Sequence, residues 1–370
     1  MVLVDRHVQR MVILAEGRLS SAGLRMVIAA LLYIPDRVVA VIDSTKDRTT
    51  TQELIGFGGA IPVVHSLEEA MAFDPDSLLI GIMPLGGQMP DSWRSIVETA
   101  LMQGLHLVSA LKKNLRQDEF FSRLADEHGA VIHDLLHVSK THQIRAQGSW
   151  RKRTVNTILT IGTDSNTGKM TTALMLYREM VRRGISVSMI GTGPTGILIS
   201  GRGVAVEAVT SDFLEGAIEF EVDKAVNDGV DYVIVEGQSA ITNTGNAAIA
   251  MGLLHGAMPD AMILCHQPSR LIDGYGLPLP SVATVRDLHE SIMRVSKPSR
   301  VVGIGLNSMD LSGDELRAVA ADLRSEFGMP VVDPMREHPG ALVDALLAHF
   351  SSYQRILPPD PGTGILDRVH

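Results

Sequence analysis

Short, nearly continuous apolar runs recur along the chain, separated by longer amphipathic stretches. In the first third they are Met11–Gly17, Arg37–Asp43, Ile61–Val64, Ser77–Ile82, His106–Leu111 and Ala130–Leu135. Runs without the alternation of a half-exposed strand, with room for a helix between them, predict parallel strands joined by right-handed βαβ crossovers. Residues 1–136 are therefore expected to form a Rossmann-like parallel-sheet domain.

From His137 to Arg153 the pattern breaks into a polar, locally basic stretch with neither period, which predicts a linker over residues 137–153. A second series follows: Asn156–Gly162, Ser186–Gly191, Asp231–Gly237, Ala261–His266, Ser299–Asn307 and Met329–Pro334. One intervening helix is strongly patterned from Thr171 and stops at Gly184, a C-cap residue. Residues 154–350 read as a second α/β domain, and 351–370, rich in Pro and Gly, as an irregular tail.

Composition narrows the partners. The net charge is −9 and no basic block stands out, which disfavours nucleic acid. No apolar run reaches the ~18 residues of a membrane span. The single cysteine, Cys265, cannot make an internal disulfide, in keeping with a cytoplasmic protein. Small-molecule amino or carboxylic acids are the expected partners, and a homo-oligomer the expected assembly.

The most informative stretch is TILTIGTDSNTGKMTTALMLYREM. An apolar strand ends at Gly162, a loop of small residues follows (Thr163, Asp164, Ser165, Asn166, Thr167), and Gly168-Lys169 opens an amphipathic helix. Small residues let backbone N–H groups converge on anionic oxygens, the helix N-terminus adds partial positive charge, and a lysine bridges phosphates. The loop is one residue longer than G-x4-G-K-[ST], and Met170 occupies the hydroxyl position. Thr171 or Thr172 is left to supply a hydroxyl, at an angle about 100° away for each residue of offset. A capped strand-to-helix turn is the plain alternative.

Other candidates sit at strand ends. Glu236, followed by Gly237, closes a buried strand where an acidic metal ligand belongs in a phosphate-loop sheet. The glycine-rich segment between these motifs carries Thr192, Gly193, Thr195 and Gly196, read as substrate contacts. Asp212, Glu215 and Glu219 follow at helical spacing and are expected to share a face. Asp212 then joins Thr171 and Glu236 as a metal ligand or receives a proton; a solvated acidic face with an N-cap explains it equally well. His266 and Arg270 follow the next strand, the arginine suited to a substrate carboxylate, and Asn307 ends the one after, where its amide can meet an adenine edge. In the first domain, Asp43 ends the second strand, and Gly81–Pro90 is a glycine-bearing turn.

With GTDSNTGKMTT, VEGQS and GLN in place, the C-terminal half resembles dethiobiotin-synthetase-like P-loop enzymes. Over nearly the whole chain, RVVAVID, GIMPLGGQMP and GTGPTGILISGRGVAVEAVTSDFLEGAIE resemble a two-domain bacterial family that includes D-glutamate N-acetyltransferases. The second resemblance implies acetyl-CoA as donor, with the cofactor on Gly162–Lys169, Thr171, Thr172 and Asn307, and catalysis by Lys169, Asp212, Glu236 and His266. The first implies instead ATP with Mg²⁺ and activation of a carboxylate or amine. A nucleotide-binding regulatory or scaffold protein would keep the loop without chemistry.

Overall fold

A computed structural model describes residues 8–19, 24–82 and 89–353. Ser20–Gly23, residues 83–88 of the glycine-bearing turn and residues 354–370 of the tail lie outside them. The chain divides into two compact units: residues 1–143 with 190–210, and residues 144–189 with 211–370.

The first unit holds β1 (Met11–Leu14), β2 (Val38–Ile42), β3 (Val63–Val64), β4 (Ser77–Ile80), β5 (His106–Ser109) and β6 (Ile132–Asp134). They form one parallel sheet in the order β3-β2-β1-β4-β5-β6. That is the doubly wound order, reversing between β1 and β4. Between the strands lie α1 (Arg25–Tyr33), α2 (Thr51–Ile55), α3 (Leu67–Met71), α4 (Asp91–Met102) and α5 (Glu119–Glu127). All four residues of β1 and of β4 are buried, as the continuous apolar runs require. Asp43, at the tip of β2, is already fully employed: it accepts the N–H groups of Gly17, Leu19 and Thr45 and the Thr45 hydroxyl. Burial opposes its charge, yet these bonds together hold its pKa below the usual carboxylate value. It fixes the loop after β1.

The segment Ile190–Thr210 groups with this unit, and its helix α7 (Pro194–Ser200) packs on α1. Two of its glycines stand where backbone meets backbone. Gly191 and Gly203 form a parallel bridge, and a Cβ on Gly203 would stand 1.8 Å from the Gly191 carbonyl oxygen.

The second unit contains β7 (Asn156–Gly162), β8 (Val187–Ile190), β9 (Tyr232–Val235), β10 (Ala261–His266), β11 (Arg300–Leu306) and β12 (Val331–Val332), in the order β12-β11-β10-β7-β9-β8. Strand β7 runs parallel to β9 on one side and β10 on the other, so whatever follows β7 is flanked by both their tips. The helices of this unit are α6 (Lys169–Arg182), α8 (Leu214–Asn227), α9 (Ala247–Ala257), α10 (Val282–Ser296), α11 (Gly313–Phe327) and α12 (Gly340–Ser352). Among the described residues no helix is long and apolar enough to cross a membrane.

The irregular stretch entering this unit is pinned rather than loose. The buried Glu219 carboxylate on α8 accepts the backbone N–H groups of Gln147 and Ser149, and Arg153 pairs with Asp223 at 2.9 Å and donates to the Ala257 carbonyl. Gly216 admits this stretch, since a Cβ there would meet the Ile144 carbonyl oxygen at 1.9 Å. Glu219, expected to share a face with Asp212 and Glu215, clamps this stretch.

At the base of the sheet, Asp260 receives the Thr157 N–H at 2.9 Å and pairs with Lys297 at 2.8 Å, both side chains being buried. Lys297 also donates to the Met258 carbonyl. Asp260→Ala strands a buried ammonium and should cost about 3–5 kcal/mol in urea unfolding. A loss below about 1 kcal/mol, the range of an exposed pair, would contradict this role.

Candidate functional site

The loop after β7 is built around one close approach. Thr163 N–H extends β7 onto the Cys265 carbonyl of β10, then left-handed residues Asn166 (φ 60°) and Gly168 (φ 96°) turn the chain into α6. The Thr167 hydroxyl donates to the Asp164 carbonyl at 3.1 Å, and the Lys169 ammonium donates to the same oxygen at 2.6 Å. A Cβ on Gly162 would meet Thr167 Oγ1 at 2.6 Å and Lys169 Nζ at 2.9 Å, so only glycine leaves room for the lysine head there. Helix α6 starts without a side-chain cap and with no acid in its first turn, whereas α2 and α11 both carry complete capping boxes. Uncapped first-turn amides beside a lysine present donors to an anion.

Burial pushes the Lys169 pKa down to about 8, against the opposing pull of Cys265, Asp164 and Glu236. The ammonium is held by backbone oxygen and neighbouring negative charge, an arrangement that phosphate oxygens can take over.

Three tips surround the loop. Glu236, following β9, is 3% exposed and accepts the Gln238 amide at 3.2 Å. Gly237 brings that tip against β7: its N–H bonds Thr160 Oγ1 at 2.9 Å, and a Cβ would lie 1.7 Å from the Thr160 carbonyl oxygen. His266, at the end of β10, is half-buried with Nδ1 3.0 Å from Thr163 Oγ1, and burial lowers its pKa to about 4, leaving it neutral near pH 7. Asn307, beyond β11, donates to the Asn166 carbonyl at 3.5 Å, and its Cβ stands 3.4 Å from where a Cβ on Gly168 would fall. The structure thus brings together Gly162 to Lys169, Glu236, His266 and Asn307.

Of the other expected residues, only some adjoin the loop. Thr172 is buried against Gly305, and its hydroxyl bonds the Cys265 thiol, whose pKa burial raises to about 11. Thr171 is half-buried in the first turn of α6. Asp212 is exposed in the short turn Ser211–Phe213, and among the described residues no three His, Cys, Asp or Glu side chains group as a metal site. Thr192, Gly193, Thr195 and Gly196 belong to the segment that groups with the first unit. Arg270 lies 2.8 Å from the Asp164 carboxylate.

One participant was not foreseen. Asn243, 6% exposed, donates its amide to Asp164 Oδ1 at 2.8 Å while its own Oδ1 accepts the N–H groups of Gly245 and Asn246. Asn243 in TNTGN carries a turn signal, but nothing in its spacing points to a loop 79 residues earlier.

The fold and loop define a two-domain α/β protein with a phosphate-loop sheet in its second unit. A model described as a P-loop domain of unknown function, DUF1611_C, matches residues 144–343, and one described as its Rossmann-like partner, DUF1611_N, matches residues 44–138. The chain belongs to this DUF1611 family. It is 38% identical over 316 residues to a D-glutamate N-acetyltransferase of Tritonibacter scottomollicae, covering 84% of this chain and 93% of that protein. It is 33% identical over 289 residues to a protein of the same name from a Pseudoalteromonas species, covering 77% and 84%. A crystal structure of a DUF1611 family protein from Anabaena variabilis superposes with a TM-score of 0.82 at 30% identity, covering 92% of this chain and 99% of that one.

The lysine's depressed pKa makes its contribution to anion binding pH-dependent. The ratio of pyrophosphate affinities, wild type over Lys169→Gln, should be largest below about pH 7 and shrink as pH rises past about 8, where the free ammonium deprotonates. A ratio unchanged between about pH 7 and about pH 9 would show that the ammonium does not hold the anion.

Proposed function

We propose that this chain is an N-acetyltransferase that moves the acetyl group of acetyl-CoA to the amino group of D-glutamate. The observation that carries the proposal is kinship over nearly full length, since the relative of that name is matched over 93% of its residues. The loop supports it chemically. Gly162 leaves space for Lys169, α6 offers uncapped amides, and the ammonium sits on a backbone oxygen, so these residues fit a diphosphate.

Acetyl-CoA supplies an activated thioester carbonyl; the protein's tasks are to hold the donor and to free the amine's lone pair. Lys169 and the first-turn amides of α6 hold the donor's phosphates. Glu236 receives the proton of the substrate ammonium: it is a buried acid whose charge acts on Lys169, whereas Asp212 is exposed. Neutral His266 keeps Thr163 oriented through its Nδ1 contact, without adding positive charge that would compete for the base. Activation by Mg-ATP draws less from this geometry, because Met170 occupies the usual hydroxyl position, Thr172 is engaged with Cys265 and Asp212 is exposed. Neither curated relative bears the name of a ligase or kinase.

Thiol release from acetyl-CoA should therefore depend on D-glutamate, with N-acetylglutamate as the product. Glu236→Gln should lower kcat about 10²- to 10⁴-fold, the usual contribution of a general base, with an unchanged melting temperature. Absence of thiol release in the presence of D-glutamate would reject the proposal. Unchanged kcat in Glu236→Gln would reject only the base.

A further inference from the structure

An acid inside a phosphate loop is at odds with its surroundings. Asp164 is the second residue after Gly162, its side chain is 1% exposed, and its carboxylate would repel the oxygens that Lys169 attracts. The carboxylate is shared between two partners from distant loops: Asn243 donates to Oδ1 at 2.8 Å, and Arg270 Nε lies 2.8 Å from Oδ2. The latter is a close ionic contact whose N–H does not line up with the oxygen, and both atoms are sealed from water. Arg270 itself is 26% exposed, and among the described residues Nη1 and Nη2 make no hydrogen bond. The guanidinium is near enough to Lys169 to oppose its charge. Two cations facing one loop, one with its terminal nitrogens open, are stabilised by an anion between them.

We propose that Asp164 is a positioning residue: with Asn243 it holds Arg270 so that the two terminal nitrogens form a second cationic arm of the phosphate site, beside Lys169. The proposal rests on the loop binding phosphate, and it assigns Arg270 to phosphate oxygens rather than to a substrate carboxylate. Asn243 fixes the carboxylate's orientation through Oδ1, leaving Oδ2 to the arginine. The loop then spends one negative charge on aiming a cation whose fork geometry matches phosphate oxygens.

The sign of the effect separates this role from its opposite. If Asp164 acted only as a negative charge, Asp164→Asn would tighten anion binding. If it positions Arg270, the same change weakens binding despite the lost repulsion. Pyrophosphate affinity would be measured by titration calorimetry for the wild type, Asp164→Asn, Arg270→Ala and the double variant, with melting temperatures alongside. Asn243→Ala, which keeps both charges and frees the pair to swing while also removing the turn bonds to Gly245 and Asn246, is a second probe should Asp164→Asn fold poorly.

The expected result is a roughly tenfold weakening in Arg270→Ala, and a weakening in Asp164→Asn and Asn243→Ala. In the Arg270→Ala background Asp164→Asn should be neutral or tightening, because only repulsion remains to be removed. Tighter or unchanged binding in Asp164→Asn, no change in Arg270→Ala, or an undiminished loss in the double variant would overturn the proposal. So would a rise confined to the KM for D-glutamate with pyrophosphate affinity intact. Failure of acetyl transfer shows separately, as pyrophosphate binding without thiol release; a wild type that binds no pyrophosphate would overturn this inference, and acetyl transfer is judged by thiol release alone.

Discussion

A buried ammonium must be answered by oxygen, and the architecture around Lys169 follows from how that demand is met. The nearest oxygen is the Asp164 carbonyl, which the left-handed turns at Asn166 and Gly168 bring back toward the start of α6. Gly162 yields the space, and neighbouring negative charge from Asp164 and Glu236 keeps the ammonium from being driven further toward neutrality. Each of these requirements is local, but meeting them together needs the parallel sheet. Only with β9 and β10 flanking β7 do Glu236, His266 and the Arg270 loop arrive at one place.

The sheets were readable from the chain because parallel strands buried on both faces are written as apolar runs. All twelve runs contain a strand; β7 and β10 fill their runs, and the other ten strands are shorter, the run Asp231–Gly237 yielding Tyr232–Val235 because its last residues leave the ladder to build the site. The patterned helix was readable for the same reason, starting two residues before Thr171 at Lys169 and ending at Arg182, before the left-handed Gly184. The loop and its strand-end neighbours were readable because each sits at a junction where one pattern stops and another begins.

What was not readable depends on contacts between segments without periodicity. Asn243 and Arg270 meet on Asp164, although the sequence marks Asn243 only as a turn residue and Arg270 only as a partner for a substrate carboxylate. The stretch before β7 looks unstructured because it is held through its backbone, by Glu219, a residue whose helical spacing suggested a face shared with Asp212 and Glu215. In the glycine-rich segment, Gly191 and Gly203 serve a close approach of two backbones, a contact that the run of glycines alone does not announce.

The division of labour in the second unit is thus electrostatic. Backbone amides and Lys169 offer positive character at the mouth of α6, with the acid after β9 on one side of β7 and a neutral histidine after β10 on the other. The most direct measurement is a crystal structure of the protein soaked with CoA. Density for the diphosphate over Gly168, with the Lys169 ammonium transferred from the Asp164 carbonyl to a phosphate oxygen, is the expected result. A CoA molecule bound elsewhere, with the lysine still on that carbonyl, would contradict a phosphate-binding loop.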